Sequence, residues 1–281
     1  MNISPENNKA IGYLRDYDPS IIVMMPVKNA KNVMAQSLLS LANQAGVTRK
    51  MLVLISDDHS EEHWENQFNI KEILSDKRFL TIKPPTGFNN VNQNRNFLID
   101  FSTSYANNLE ILLRLDADDF LEESNIIHTI EKYFFSSTFY FYKPYTRTQC
   151  NLLLMGNALS CDGFKLNRIN RASNRLKNNS SLLEQLDAMR YGIPEAELPS
   201  CNLIWKPEIS IQYPALKSAE DHLLLTHCLL KYKNDHFYIE EEKLYANYSL
   251  SGNLTANNKH AEIYLQSRQF IFNTALNYEQ N

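Results

Sequence analysis

The sequence predicts an α/β fold, with a mainly parallel, Rossmann-like central sheet flanked by helices. Three observations carry that expectation. Strand-like and helix-like stretches alternate through the first 145 residues. The strands "SIIVMMPV" (20–27) and "MLVLIS" (51–56) are apolar without interruption. Several of the strands end in polar or acidic residues. Alternating βαβα order with continuously apolar strands implies a parallel sheet covered on both faces, and such sheets bind ligands beyond the carboxyl ends of their strands.

The elements follow in order. After the first strand, Met34, Leu38, Leu41 and Ala45 recur at helical spacing. The second strand ends at Asp57-Asp58. A polar segment holding Trp64 and Phe68 is expected to be a helix, followed by the short strand "FLTIK" (79–83). Pro84-Pro85-Thr86-Gly87 breaks the chain before a helix over 92–106. "EILLRLD" (110–116) is the next strand. Ser124 is placed to cap the helix that runs through "NIIHTIEKYFF", and "TFYFYKPY" (138–145) reads as a further strand. "SAEDHLLLTHCLLKY" (218–232) reads as a helix with Leu224, Cys228 and Tyr232 on one stripe and Glu220-Asp221 in its first turn, where the helix dipole favours acids. Residues 150–200 are rich in Asn, Ser and basic side chains. Lys165, Arg168, Arg171, Arg175 and Lys177 read there as a solvated helix face or a mobile loop, or, more sharply, as a flap that meets phosphate or an acceptor. Nothing divides the 281 residues into separate domains, so one domain is expected, with residues 1–145 and 146–281 as its two halves.

Composition narrows the function. A net charge of −4 and a pI of about 6.0 supply no global basic field for nucleic acid. Cys150, Cys161, Cys201 and Cys228 are scattered without a CxxC pair, as expected of reduced thiols. The polar N-terminus argues against a signal peptide, and no apolar run approaches the ~20 residues of a membrane span. A cytoplasmic protein is expected, at most peripheral at the inner face of a membrane. With 7 glycines and no Gly-rich phosphate loop, P-loop and dinucleotide-binding readings are disfavoured.

The chemistry-bearing residues gather at the strand ends. Asp116, Asp118 and Asp119 follow an apolar run. Acids so close stay ionised together only with water, donors or a cation nearby. Asp116-x-Asp118 at that position suits Mg²⁺ or Mn²⁺ holding a substrate phosphate, and an exposed acidic turn is the plainer alternative. Asp57-Asp58-His59-Ser60 could accept a bond from a nucleobase or ribose, or cap a helix. His59 and His63 read as surface histidines. Arg95 could clamp a diphosphate or pair with one of the acids.

Taken in order, "IIVMMPVKN", "LVLISDDHS", "NQNRNFLI", "LLRLDADDF" and "SAEDHLLL" resemble the motif series of a family 2 glycosyltransferase of the glycosyltransferase A fold. The matching parts cover roughly residues 20–145 and 200–232. "YANYSLSGNLT" (245–255) resembles a later Tyr-x-x-His-x-x-Ser segment, with Asn247 or Tyr248 near the usual histidine position. His59 and Asn94 stand where Gly and Ala are usual. The resemblance implies an inverting, hexosyltransferase-type enzyme whose donor is a nucleoside-diphosphate sugar, a UDP-sugar by preference. Pro26, Val27 and Asn29 would shape the nucleotide pocket, with Asp58, or its neighbour Asp57, on the base, Arg95 near the diphosphate, Asp116 on the ribose or metal, and Ala117 on the nucleotide sugar. Asp118, with Asp116, would hold Mn²⁺ or Mg²⁺, and Asp119 would support them. Asp221 would be the general base, with Glu220 beside it. The acceptor could be a glycan, a lipid-linked sugar, a peptide or a small molecule. A nucleotidyltransferase and a non-catalytic nucleotide-binding module of the same fold remain the alternatives.

Overall fold

Strands β1 (Ile21–Val27) and β2 (Met51–Asp57) are buried at every position, as their unbroken apolar sequences require of strands covered on both faces. The computed structural model describes residues 5–121, 123–135, 152–162, 165–170, 182–191, 203–216, 218–232, 237–249 and 262–280. The chain divides into two compact units. The first comprises residues 1–131 with 204–212, and the second 132–203 with 213–281.

The first unit carries a sheet of order β3-β2-β1-β4-β8, with β3 at Phe79–Ile82, β4 at Ile111–Arg114 and β8 at Leu203–Trp205. β1 pairs in parallel with β2, Ile21 opposite Met51 through to Val27 opposite Asp57, and with β4 from Ile21–Ile111 to Met24–Arg114. β2 pairs in parallel with β3, while β8 closes on β4 in the antiparallel sense through Trp205–Leu112 and Ile204–Leu113. The sheet is therefore mainly parallel, as expected, and β4 is shorter than expected. It stops at Arg114, after which the Leu115 N–H donates to the Met24 carbonyl. The acids 116–119 then form a turn, ending in the two-residue strand β5 (Asp119–Phe120), at the same end of the sheet as Asp57.

Helices cover this sheet. α1 (Pro5–Tyr17) packs on β3, and α4 (Val91–Tyr105) on β1 and β2. α2 (Met34–Ala42) buries Met34, Leu38 and Leu41 but ends before Ala45. The Gly46 that follows takes φ +74°, which a side chain would strain. The segment around Trp64 is not one helix. A 3₁₀ turn (Trp64–Asn66) buries Trp64, Gln67 is extended, and α3 (Phe68–Leu74) starts with Phe68 85% exposed. At α5 (Ile126–Phe135), Thr129 N–H donates to the Asn125 carbonyl, so Asn125 and not Ser124 holds the cap position.

In the second unit, β6 (Leu152–Asp162) pairs antiparallel with β7 (Lys165–Asn170) and parallel with β9 (Phe237–Ser249). Lys165 and Arg168 thus lie on a strand, in place of the helix face or loop expected. Arg171, Arg175 and Lys177 lie outside the described residues, as do the expected strand over 138–145, Cys150 and Cys201. α6 (Leu182–Arg190) and α7 (Glu220–Tyr232) both pack on α8 (Glu262–Glu279). The core there includes Leu186, Met189, Leu225, Leu229, Ile271 and Ala275. Arg268 is buried among them, because its guanidinium donates to the Met189 carbonyl (2.8 Å) and lies 4.1 Å from the Tyr264 ring centre. Cys228 is a buried free thiol. Among the described residues, no helix is long and apolar enough to cross a membrane.

Candidate active site

Three strand ends and one helix start place the predicted donor-side residues in the first unit. The β1 end supplies Pro26, Val27, Lys28 and Asn29. Asn29 takes φ 53°, a left-handed turn that asparagine tolerates. Its N–H donates to Ser60 Oγ, and its Oδ1 accepts from Glu61 N–H, which ties the β1 turn to the β2 turn. Asp57, at the last position of β2, accepts from Ser60 N–H through Oδ1 (3.0 Å). Asp58 is buried and satisfied by protein donors. Phe88 N–H reaches its Oδ1 at 2.7 Å, and Lys28 Nζ its Oδ2 at 2.9 Å. His59 and His63 are both exposed, as expected; His63 lies beside Glu65, and the His59 ring contacts the Pro84 carbonyl.

α4 runs its first turns across these ends. Asn90 caps it, accepting from Gln93 N–H, while Gln93 accepts from Asn89 N–H. Asn94 donates to the Ser56 carbonyl at the end of β2. One residue on, Arg95 reaches beyond β4 and donates to Asp116 Oδ2 at 3.0 Å. Arg95 is buried and pairs with one of the acids.

A second guanidinium meets the same carboxylate. Arg114, the last residue of β4, has Nε 3.2 Å from Asp116 Oδ1, an ion pair without hydrogen-bond alignment. Its side chain is 3% exposed. Sequence reasoning passed over Arg114, although a lone charge inside a buried apolar strand was the signal that could have found it. Ser37 was also missed; its Oγ donates to the Asp116 carbonyl and fastens α2 to the turn. Asp116 is thus compensated by protein cations. Two arginines face Asp116, and a buried charge left without such a partner would be costly.

Asp118 differs from Asp116. It has no salt bridge among the described residues, and Ala117 beside it is buried. Burial first, and then the charge of Asp116, push its pKa up to about 6, against the opposing pull of Arg114 and Arg95. Among the described residues no group of three or more His, Cys, Asp or Glu could enclose a cation. Mg²⁺ and Mn²⁺ are commonly held by one or two carboxylates together with substrate phosphates. A desolvated carboxylate next to a second acid, with no ion-pair partner among the described residues, is chemically compatible with that mode.

Glu220 and Asp221 belong to the second unit, in the first turn of α7. Ala219 precedes them at φ 57° and accepts from Leu223 N–H. His222 N–H donates to Asp221 Oδ1 at 2.9 Å, and both acidic side chains are partly exposed. Asn247 and Tyr248 lie on β9.

The profile described as Glycosyl transferase family 2 matches residues 22–180. No curated protein sequence matches the chain. Among solved structures, S. aureus TarS 1-349 superposes with a TM-score of 0.59 at 17% identity, over 92% of this chain and 71% of that one. TarS 1-349 in complex with UDP gives 0.57 at 18%, over 92% and 71%. Glucosyl-3-phosphoglycerate synthase from Mycobacterium tuberculosis, in complex with Mg²⁺ and UDP, gives 0.50 at 11%, over 95% and 83%. At these identities the likeness shows the fold, which is of the glycosyltransferase A type.

Proposed function

Because this chain belongs to glycosyl transferase family 2, and so moves a sugar from a nucleotide sugar, we propose that it is a metal-dependent, inverting hexosyltransferase that uses a UDP-sugar and an acceptor hydroxyl. The observation that carries the finer reading is the contrast within the Asp116-x-Asp118 turn. One acid is held by two arginines, and the other is desolvated and has no ion-pair partner among the described residues. That is a division of labour, not a uniform acidic surface. UDP in the TarS and Mycobacterium tuberculosis structures supports the choice of uridine.

In this reading the base and ribose lie against Pro26, Val27, Asn29 and the Asp57–Asp58 turn. Asp118 holds Mn²⁺ or Mg²⁺, with Asp116 beside it towards the ribose. The cation stabilises the departing diphosphate when bound. Arg95 and Arg114 keep the Asp116 carboxylate oriented and lend positive potential on the diphosphate side. Asp221, with Glu220 next to it, takes the acceptor hydroxyl proton as that oxygen bonds to C1. The C1–O bond to the diphosphate breaks on the opposite face, which inverts the anomeric centre. No covalent enzyme intermediate is needed, so no activated Ser or Cys is called for. The acceptor is a glycan, a lipid-linked sugar, a peptide or a small molecule.

The test is calorimetry of UDP binding with and without Mn²⁺, paired with UDP release from a panel of UDP-sugars and acceptors. Wild type should bind UDP in a Mn²⁺-dependent way, and Asp118→Ala should lose that dependence. Unchanged heats in the variant would remove Asp118 from the metal.

A further inference from the structure

We propose that the first unit carries a second binding site, at the amino ends of its strands, that takes a small sugar phosphate. Ser20, Lys50 and Glu110 each stand one residue before a strand. Because β1, β2 and β4 run parallel, the three gather at the end of the sheet opposite the acidic turns. The length of β1, at about 3.3 Å per residue, puts roughly 20 Å between this end and the donor side. Two cavities open here and share Lys50. One, of about 280 Å³, has Arg49, Lys50 and Arg78 in its wall and no carboxylate. The other, of about 440 Å³, adds Asp18, Ser20, Asn108 and Glu110. A cationic half joined to an oxygen-rich half suits a ligand with an anion at one end and hydroxyls at the other.

The cationic half is formed in advance. Asp76 Oδ2 lies 2.9 Å from Arg78 Nε and 2.6 Å from its Nη2, and Nη2 also donates to the Ala42 carbonyl at 2.8 Å. The guanidinium is thereby fixed, while its Nη1 makes no hydrogen bond among the described residues. Arg49 pairs with Glu110 Oε2 at 3.3 Å. Lys50 has no acidic partner among the described residues; its ammonium lies 5.9 Å from the centre of the Tyr17 ring, which is stacked on Tyr13. The loop that carries Arg49 and Lys50 is pinned, since Thr48 donates to Glu131 through both its N–H and its hydroxyl, and Ala45 N–H donates to the Ser124 carbonyl. A phosphate here meets a lysine ammonium and a held guanidinium with a donor to spare. In the other half, Asn108 takes the Asp18 carboxylate with its N–H and its side-chain amide. Ser20 Oγ, Asn108 Oδ1 and Glu110 Oε1 make no hydrogen bond among the described residues and are left for hydroxyl groups. The acids of that half repel a ligand charged along its whole length, which selects against pyrophosphate.

Calorimetry on the full chain tests the site, with a chelator present to keep metal from the donor side. The probes are glucose 6-phosphate, inorganic phosphate, pyrophosphate and glucose, titrated into wild type, Lys50→Met, Ser20→Ala and Asp118→Ala. Wild type should bind glucose 6-phosphate more tightly than each of the other three, by about tenfold. Lys50→Met should weaken it by about tenfold, for the loss of one charge-assisted bond. Lys50 is exposed, so this variant keeps the fold. Ser20→Ala should weaken glucose 6-phosphate and leave inorganic phosphate unchanged, and Asp118→Ala should bind as wild type does. The methyl phosphodiester of glucose 6-phosphate separates two sources of the ligand, and either result supports the site. Binding like the monoester marks a phosphodiester-linked glycan unit, and weaker binding marks a free sugar monophosphate. Three results would each overturn the proposal: no binding to wild type, equal affinity for glucose 6-phosphate and inorganic phosphate, or a loss in Asp118→Ala that Lys50→Met does not share. The last would put the ligand on the donor side. None of these readouts depends on sugar transfer.

Discussion

Replacing Asp118 by asparagine should stabilise the metal-free protein at neutral pH while disabling it. The pKa of Asp118 is raised from 3.8 to about 6, mainly by burial and next by Asp116. Between those values the folded protein keeps a proton that the unfolded chain has released. Stability from this group is therefore full below 3.8 and falls as the pH rises towards and through 6. A displacement of roughly two units corresponds to about 3 kcal/mol, an upper figure because solvent reaches part of the side chain. Asparagine stays neutral and escapes the loss, so its advantage should approach that figure at about pH 7.5 and shrink to roughly half at about pH 5. Urea unfolding in the presence of a chelator, at both pH values, measures it. A variant no more stable than wild type at the higher pH, or one whose advantage is the same at both, would refute the reasoning that burial strains the ionised form.

Other outcomes follow from the same geometry. Asp221→Asn should leave UDP affinity near the wild-type value while transfer collapses; retained turnover would move the base elsewhere. Asn90→Ala removes the side-chain cap of α4 and should cost about 1 kcal/mol, read from the denaturation midpoint, with a loss of UDP affinity because the next turn carries Arg95.

Much of this was legible in the sequence because burial on both faces leaves a continuous apolar signature. β1 and β2 and the Met34, Leu38, Leu41 stripe of α2 were found that way. The strand ends were legible because acids terminate those runs abruptly. The misreadings have physical causes. Trp64 and Phe68 are four apart and look like one helical stripe, yet extended Gln67 between them turns Phe68 out to solvent while Trp64 is buried. The hairpin of β6 and β7 hid in an Asn- and Ser-rich segment whose one short apolar run, Leu152–Met155, covers only the start of β6. Arg114 was passed over as an interruption in a strand, though its charge compensates Asp116. Lys28, Asp58 and Phe88 are joined by contacts that only the folded register creates.

The antiparallel strand β8 has a consequence for how the protein is made. It pairs with Leu112 and Leu113 of β4, yet the chain reaches it only after residues 132–203 have been synthesised. At a translation rate of about 5–20 residues per second, that interval lasts roughly 4 to 14 s. Throughout it, β4 presents an apolar edge, a template for pairing with a neighbouring nascent copy. A fragment ending at residue 131 would keep that edge permanently. Aggregation of such a fragment, relieved by joining residues 204–212 back to it through a short loop, would trace insolubility to a missing strand and not to a faulty core.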